Sequence, residues 1–192
     1  TNNPLACHSN FIFLIKKTGF DFFRDALMTD KSDDHHIGLR HVISENSRLM
    51  TQSERNAVPD ILHAVREHLK MDVAFVAEFI EGHRVFRYVD SEWKENPVQD
   101  GFGHPLEASY CQRVVDKRLP ELMQNAQDNP TAAALAVTAS VPVGAYLSVP
   151  LRLADGSLYG TFCCFSRSAD YSLNERDLSL MRTFAELAAK II

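Results

Sequence analysis

The sequence has little of several features that define whole classes of protein. Its cysteines are only four (Cys7, Cys111, Cys163 and Cys164), and none forms a Cys-x-x-Cys pair. Neither a disulfide framework nor a structural zinc site is therefore expected. The formal net charge of the 192 residues is −5, and no Lys/Arg cluster offsets it. That balance argues against a nucleic-acid partner, which normally requires a basic surface.

Long apolar runs are missing as well. The longest fall short of the roughly 20 residues that a helix needs to cross a bilayer. The segment Phe11–Ile15 is too short for the core of a signal peptide, and Lys16 and Lys17 follow it instead of preceding it. No small-residue cleavage site comes after it. We therefore expect a cytoplasmic protein with no membrane partner.

Signatures of catalysis and of metal binding are also scarce. No Gly-x-Ser-x-Gly or His-Glu-x-x-His motif occurs, so no hydrolase is indicated and we expect no enzyme. His35, His36 and His41 cluster in a polar segment without a scaffold. His63 and Glu67 lie one helical turn apart, a spacing that is common on exposed helix faces. We assign no metal ligands.

The chain divides into two regions. Residues 1–52 mix aromatic side chains with a polar run over residues 29–36, and we predict a partly helical extension or linker there. Met28 precedes the polar run and resembles a chain start, but an upstream linker fits equally well. Residues 53–192 carry the regular apolar patterns of one domain, and this length suits a single core.

Within residues 53–192 the apolar spacing alternates between helical and strand periods. The domain begins at about Ser53, and its first helix carries apolar residues from Val58 to Leu69 with Pro59 in the first turn. The pattern then predicts strands at 73–80 and 84–89, a helix over 105–117 and a short extended piece at 119–124. An alanine-rich helical stretch from Pro130, strands at 145–153 and 158–166, and a last helix after a capping box at Ser172–Glu175 complete the order. Asp155-Gly156 joins the last two strands, which is a strong hairpin signal. Tight turns between successive strands predict an α+β fold with an antiparallel sheet, flanked by helices.

Four segments in this order resemble the GAF domain family. They are Gly144-Ala145-Tyr146-Leu147-Ser148-Val149-Pro150-Leu151, Asp155-Gly156-Ser157-Leu158-Tyr159-Gly160-Thr161-Phe162, Ser109-Tyr110-Cys111-Gln112-Arg113-Val114-Val115, and Tyr171-Ser172-Leu173-Asn174-Glu175-Arg176-Asp177-Leu178. The resemblance covers residues 53–192. It implies a PAS-related central sheet of five to six antiparallel strands, and a sensory domain without catalysis.

Two further segments suggest a narrower group. Residues 74–79 and 111–116 look most like GAF sensor domains attached to cyclic di-GMP phosphodiesterases or diguanylate cyclases. That likeness implies an effector domain C-terminal to Ile192, driven through the first and last helices. We expect those helices to pair in a homodimer built on residues 45–70 and 174–192.

The resemblance also implies where a small molecule would bind, which is between one sheet face and the loops and helices that cover it. The predicted lining residues are Phe75, Trp93, Tyr110, Cys111, Val114, Tyr146, Ser148 and Phe162. The cofactor or ligand is unknown from the sequence. The alternative is that these side chains fill the pocket themselves, which would make the domain a ligand-free dimerisation module.

Known chemistries of GAF domains give three more alternatives. Bilin attachment is disfavoured because Gln112 follows Cys111, where bilin-binding members have histidine. A thiol-based methionine sulfoxide reductase requires two thiols within reach of each other, and Cys163 and Cys164 lie inside a predicted strand. Cyclic nucleotide binding stays open, although no glycine-rich phosphate loop is present.

Overall fold

The computed structural model describes residues 52–192. Apart from Gln52, the predicted extension over residues 1–52 lies outside the described part, as do the histidines at positions 35, 36 and 41. Within residues 52–192, no helix has both the length and the apolar character needed to cross a membrane.

Helices and strands alternate in the predicted order. They are α1 (Gln52–Leu69), β1 (Val73–Ile80), β2 (His83–Ser91), β3 (Gly103–Pro105), α2 (Tyr110–Val115), β4 (Leu122–Met123), α3 (Pro130–Ala133), α4 (Ala136–Ser140), β5 (Tyr146–Arg152), β6 (Leu158–Phe165) and α5 (Glu175–Ala189), with short 3₁₀ turns at Leu106–Ala108 and Ala126–Asp128.

The strands form one six-stranded sheet in the order β3-β2-β1-β6-β5-β4. Every neighbouring pair is antiparallel. The predicted α+β fold class is thereby confirmed. The Asp155-Gly156 hairpin is confirmed too: Leu153 and Ser157 close the turn, and Gly156 has φ +84°, a left-handed value that suits glycine.

Both faces of the sheet are buried, each in its own core. The first core lies under α1 and α5 and takes alternate strand residues such as Ala74, Val76, Leu147, Val149, Phe162 and Cys164. The second lies under α2, α3, α4 and the intervening loops and takes the remaining strand residues, among them Phe75, Phe86, Tyr146, Cys163 and Phe165. Because side chains alternate along a strand, adjacent residues of β1, β5 and β6 belong to different cores.

Two local predictions, the position of Pro59 and the length of the helix at 105–117, were wrong in detail. Pro59 lies inside α1 and not in its first turn, since the helix begins at Gln52. A helix-interior proline costs about 3 kcal/mol, which burial of Val58, Leu62 and Val65 on one face offsets. The helix predicted at 105–117 is shorter, because residues 103–105 pair with β2 as strand β3.

The capping box of the last helix was also misplaced by two residues. Asn174 is the N-cap, and its side chain accepts a hydrogen bond from the Arg176 N–H. In return, the Asp177 carboxylate accepts a hydrogen bond from the Asn174 N–H at 3.0 Å. Asp177 is the partner because it stands at N3, the position whose side chain reaches back to the N-cap N–H. The result is that α5 begins at Glu175.

The close approach of β6 to β1 gives a stability prediction. A Cβ added at Gly160 would lie 1.9 Å from the Ala77 carbonyl oxygen, which is backbone in the middle of the sheet. Gly160→Ala should therefore destabilise the fold by about 3 kcal/mol, the upper end of overpacking costs. Gly156→Ala is the matched control, since a Cβ there meets nothing within 4 Å and only the positive φ costs about 1 kcal/mol.

Urea unfolding of both variants measures the difference as a shift in midpoint at constant slope. Equal midpoints for the two alanine variants would contradict the packing described for β1 and β6.

Candidate functional site

A small pocket lies on the sheet face opposite the two long helices. Strands β1, β2, β5 and β6 form its floor, and α2, α4 and the loops before β3 and β5 cover it. Its volume is about 40 Å³. Since one water requires roughly 10–15 Å³, the space suits a ligand of a few non-hydrogen atoms. The lining residues are Phe75, Arg84, Phe86, Pro97, Val98, His104, Tyr110, Val137, Val141, Val143, Tyr146 and Phe165.

The structure brings some of the predicted residues together at this pocket. Phe75, Tyr110 and Tyr146 line it directly. Cys111 and Val114 are buried in the same core, behind the lining side chains. The rings of Tyr110 and Tyr146 pack with centroids 4.9 Å apart, so these two tyrosines form one wall.

The other predicted residues lie elsewhere. Trp93 packs on the edge of the same core, with the Arg167 guanidinium 5.0 Å from its ring centroid, and it does not line the pocket. Ser148 is buried beneath the pocket, 3.1 Å from the Cys163 sulfur. Phe162 is in the core under α1 and α5, so the prediction that it lines the pocket was wrong. A strand places residue 162 on the opposite face from residues 163 and 165.

Arg84 is the lining residue that the sequence reasoning missed. It lies on β2 with only 7% of its surface exposed. The signal was present in the strand alternation, because Arg84 and the apolar Phe86 occupy the same strand face two residues apart. A charged residue in register with a buried aromatic residue indicates a charge inside the core.

The guanidinium of Arg84 has three neighbours. Its Cζ lies 4.5 Å from the Phe86 ring centroid, its Nη1 is 3.7 Å from the Cys111 sulfur, and its Nη2 donates to Nδ1 of His104 at 3.3 Å. Burial, reinforced by the charge of Arg84, lowers the pKa of His104 to about 4. The imidazole is therefore neutral at pH 7, and its Nδ1 accepts a hydrogen bond from Arg84.

Two thiols meet just behind Arg84. The sulfurs of Cys111 and Cys163 are 3.9 Å apart, and the Tyr146 hydroxyl lies 3.6 Å from each. Burial opposes ionisation of Cys111, but the hydrogen bond from Cys163 and the charge of Arg84 hold its pKa well below the usual value. Burial and the neighbouring Cys111 raise the pKa of Cys163. Of the two buried thiols, Cys111 is therefore the one that loses its proton more readily.

His63 and Glu67, the pair one helical turn apart, contact other side chains. His63 Nδ1 lies 3.4 Å from an Asp90 carboxylate oxygen, and Glu67 pairs with Arg66 at 2.7 Å. Among residues 52–192, no group of three or more His, Cys, Asp or Glu side chains could hold a metal ion.

The neutral state of His104 gives a pH prediction. Its pKa is about 4 in the folded chain and about 6.5 when unfolded, so the unfolded state binds a proton first. The stability that the neutral imidazole contributes is complete above pH 6.5 and is lost as the pH falls toward 4. Between pH 6.5 and pH 5 the loss should reach about 2 kcal/mol at most.

Urea unfolding at pH 7, 6 and 5 measures this loss in the wild type and in His104→Asn, which keeps an acceptor but does not titrate. The stability difference between the two proteins should shrink as the pH falls. Parallel stability curves would contradict the assignment of this titration to His104.

Comparison with known proteins places this geometry in a family. The family model described as a GAF domain matches residues 51–192. A search of the curated proteins gave no match. Among solved structures, the GAF domain of an Acinetobacter phosphoenolpyruvate-protein phosphotransferase is similar, with a TM-score of 0.57 and 15% identity over 83% of this chain and 93% of that one.

Two further solved structures share the fold. The type II free methionine-R-sulfoxide reductase of Thermoplasma acidophilum has a TM-score of 0.57 and 18% identity over 73% of this chain and 92% of that one. A far-red cyanobacteriochrome photoreceptor has a TM-score of 0.57 and 10% identity over 80% and 94%. With a family match across most of its length and the six-stranded antiparallel sheet described above, this chain belongs to the GAF domain family.

Proposed function

We propose that this GAF domain is a non-catalytic sensory module that binds a small molecule in the pocket and relays its presence through α1 and α5. One observation carries the proposal: the pocket and the two long helices contact opposite faces of the same strands. The fold is shared with a far-red photoreceptor, a protein whose role is sensory.

On β5 and β6, residues next to each other in the chain contact the pocket-side core and the core under α1 and α5, respectively. The Cys163 side chain lies in the pocket-side core, while the next residue, Cys164, donates to the Met181 sulfur of α5 at 3.6 Å. Likewise Tyr146 lines the pocket and Leu147 packs in the core under α1 and α5. A ligand that favours one position of these strands therefore shifts the preferred position of the helices.

The surface of α5 supports the proposed homodimer. Leu180, Phe184 and Leu187 follow the spacing i, i+4, i+7 on α5, and Ile191 continues it just beyond the helix. Leu180, Phe184 and Ile191 are partly buried against the core under α1 and α5, while Leu187 is 45% exposed. The part of this apolar stripe that stays exposed is suited to packing against a second helix.

The finer proposal concerns the effector. We propose that the helix signal reaches a cyclic di-GMP phosphodiesterase or diguanylate cyclase domain after Ile192. The segments 74–79 and 111–116 support it, because they look like those of GAF sensors attached to such enzymes. The coding sequence downstream of Ile192 tests it directly, and an effector of another class there would refute it.

Ligand binding is tested by native mass spectrometry of the purified chain. We expect a fraction of the protein to carry an extra small mass, since a pocket of this size retains only compact molecules. Tyr110→Trp should reduce that fraction at least tenfold because the larger ring fills the pocket, whereas Trp93→Phe, outside the lining, should leave it unchanged. An adduct that is insensitive to Tyr110→Trp would contradict binding in this pocket.

The dimer is tested by size-exclusion chromatography with light scattering at tens of micromolar. The wild type should be a dimer, and Leu187→Glu should be a monomer because it places a charge on the apolar stripe. Ser179→Glu adds the same charge at an exposed position off the stripe and should remain dimeric. A monomeric wild type would remove the proposed relay, and a dimeric Leu187→Glu variant would move the interface elsewhere.

A second candidate function, a thiol reductase acting on methionine sulfoxide, is favoured by the 3.9 Å distance between the Cys111 and Cys163 sulfurs. The Thermoplasma acidophilum reductase shares the fold. In such a reaction Cys111 takes the sulfoxide oxygen as a sulfenic acid and releases the thioether. Cys163 then attacks the sulfenic sulfur, which forms a disulfide and releases water, and an external dithiol restores both thiols.

This alternative is tested by adding free methionine sulfoxide to the reduced chain and counting thiols by intact mass. The reductase predicts loss of two hydrogen atoms per chain in the wild type and in Cys164→Ala, but not in Cys111→Ser or Cys163→Ser. Cys164 is the control because its thiol faces α5 on the other side of the sheet. No mass change in the wild type would eliminate the reductase and leave the sensor proposal untouched.

A further inference from the structure

Among residues 52–192, which the structure describes, the charge of Arg84 has no carboxylate partner. No Asp or Glu side chain forms an ion pair with it among residues 52–192, and its Nε, although buried, has no hydrogen-bond partner. Arg66, which is buried to a similar degree, pairs with both Asp90 and Glu67. A buried cation without a counter-charge is costly and is normally paired.

The contacts that Arg84 does make compensate its charge only weakly. The Phe86 ring attracts the guanidinium through its quadrupole, and the neutral His104 and the Cys111 sulfur act as acceptors. None of the three is an oxygen anion that matches the two parallel N–H groups of a guanidinium. Arginine forms its strongest hydrogen bonds with planar oxyanions of that geometry.

The rest of the pocket wall limits the occupant. Arg84 is the one cation among the pocket-lining residues of the described part of the chain. A ligand with a single negative charge therefore neutralises it, whereas a doubly charged phosphate would leave one charge buried. Phe75, Val141 and Val143 make the remaining wall apolar. The volume of about 40 Å³ limits the ligand to a few non-hydrogen atoms.

We infer that the pocket binds a short-chain monocarboxylate, with the carboxylate paired to Arg84 and the aliphatic part packed against Phe75 and Val141. This inference rests on the proposed sensory function and names the chemical class of its ligand. The ligand supplies the carboxylate that Arg84 lacks among the described residues, and so it stabilises the strands that carry the pocket.

One group inside the protein competes with this assignment. Cys111, if ionised, would itself serve as the counter-charge of Arg84 across the 3.7 Å contact. The two possibilities differ in what the wild type binds. If the ligand is the partner of Arg84, both the wild type and Cys111→Ala should prefer propionate to propionamide. If the Cys111 sulfur is the partner, only Cys111→Ala should show that preference, and this result would overturn the inference.

The experiment uses the full chain, dialysed into chloride buffer, with propionate as the probe and propionamide as its uncharged counterpart of equal shape. Calorimetry should show propionate binding, and propionamide should bind at least tenfold more weakly because it cannot form a charge-assisted pair. Equal binding of the acid and the amide, or no heat with propionate, would overturn the inference.

Two arginine variants then locate the charge. Arg84→Met should reduce propionate affinity at least tenfold, while Arg152→Gln removes an equal charge from an exposed strand end and should have no effect.

Without propionate, Arg84→Met should unfold at the same or a higher temperature than the wild type, because the lost charge was unpaired. A large drop in melting temperature would show that Arg84 has an internal partner and would count against the ligand. The comparison of acid with amide on the wild type holds even if the variant fails to fold.

Failure of this inference and failure of the sensory function give different results. A neutral molecule found by native mass spectrometry, with no propionate binding, would overturn the carboxylate class and leave the sensor in place. Propionate binding in a chain that stays monomeric would support the ligand class and remove the proposed relay.

Discussion

Alternation of side chains along β1, β5 and β6 is the constraint on which the rest of the structure depends. Both faces of the sheet are buried, so each buried residue of these strands lies either in the pocket-side core or in the core under α1 and α5. A sheet with two buried faces cannot slip by one residue without reversing every side chain. The pocket and the terminal helices consequently contact residues that are adjacent in the chain.

A second theme is the contrast between two buried arginines. Arg66 is buried on α1, where it pairs with Glu67 of the same helix and with Asp90 of β2. Arg84 faces the pocket without a carboxylate, beside a neutral histidine and a thiol. Because burying an unpaired charge is costly, we propose that Arg84 pairs with an anionic ligand in the pocket. The same guanidinium also lowers the pKa of Cys111, so the proposed ligand site and the thiol pair share one charged group.

Much of the fold was predictable from the sequence. The bounds of β1 and the Asp155-Gly156 hairpin followed from strand alternation and turn chemistry, which are local signals. Pro59 was misplaced because α1 begins at Gln52, ahead of the apolar pattern. The capping box was misplaced because Asn174 offers the same kind of capping oxygen as Ser172, and it is Asn174 that caps α5. The lining of the pocket was harder to predict from the sequence. Tyr110 and Tyr146 were correctly placed at the pocket, but Phe162 was assigned to the wrong strand face and Arg84 was overlooked. Which face of a fully buried strand meets the pocket depends on the packing of distant elements, and a single sequence does not record it.

Hydrogen exchange of backbone amides, measured by mass spectrometry with and without propionate, tests the coupling most directly. If pocket occupancy is transmitted through the sheet, protection should change in peptides covering α5 (Glu175–Ala189) and α1 (Gln52–Leu69) as well as in those covering β2 and α2. Propionate that binds but alters exchange only in the pocket-lining peptides would contradict a relay from the pocket to the terminal helices.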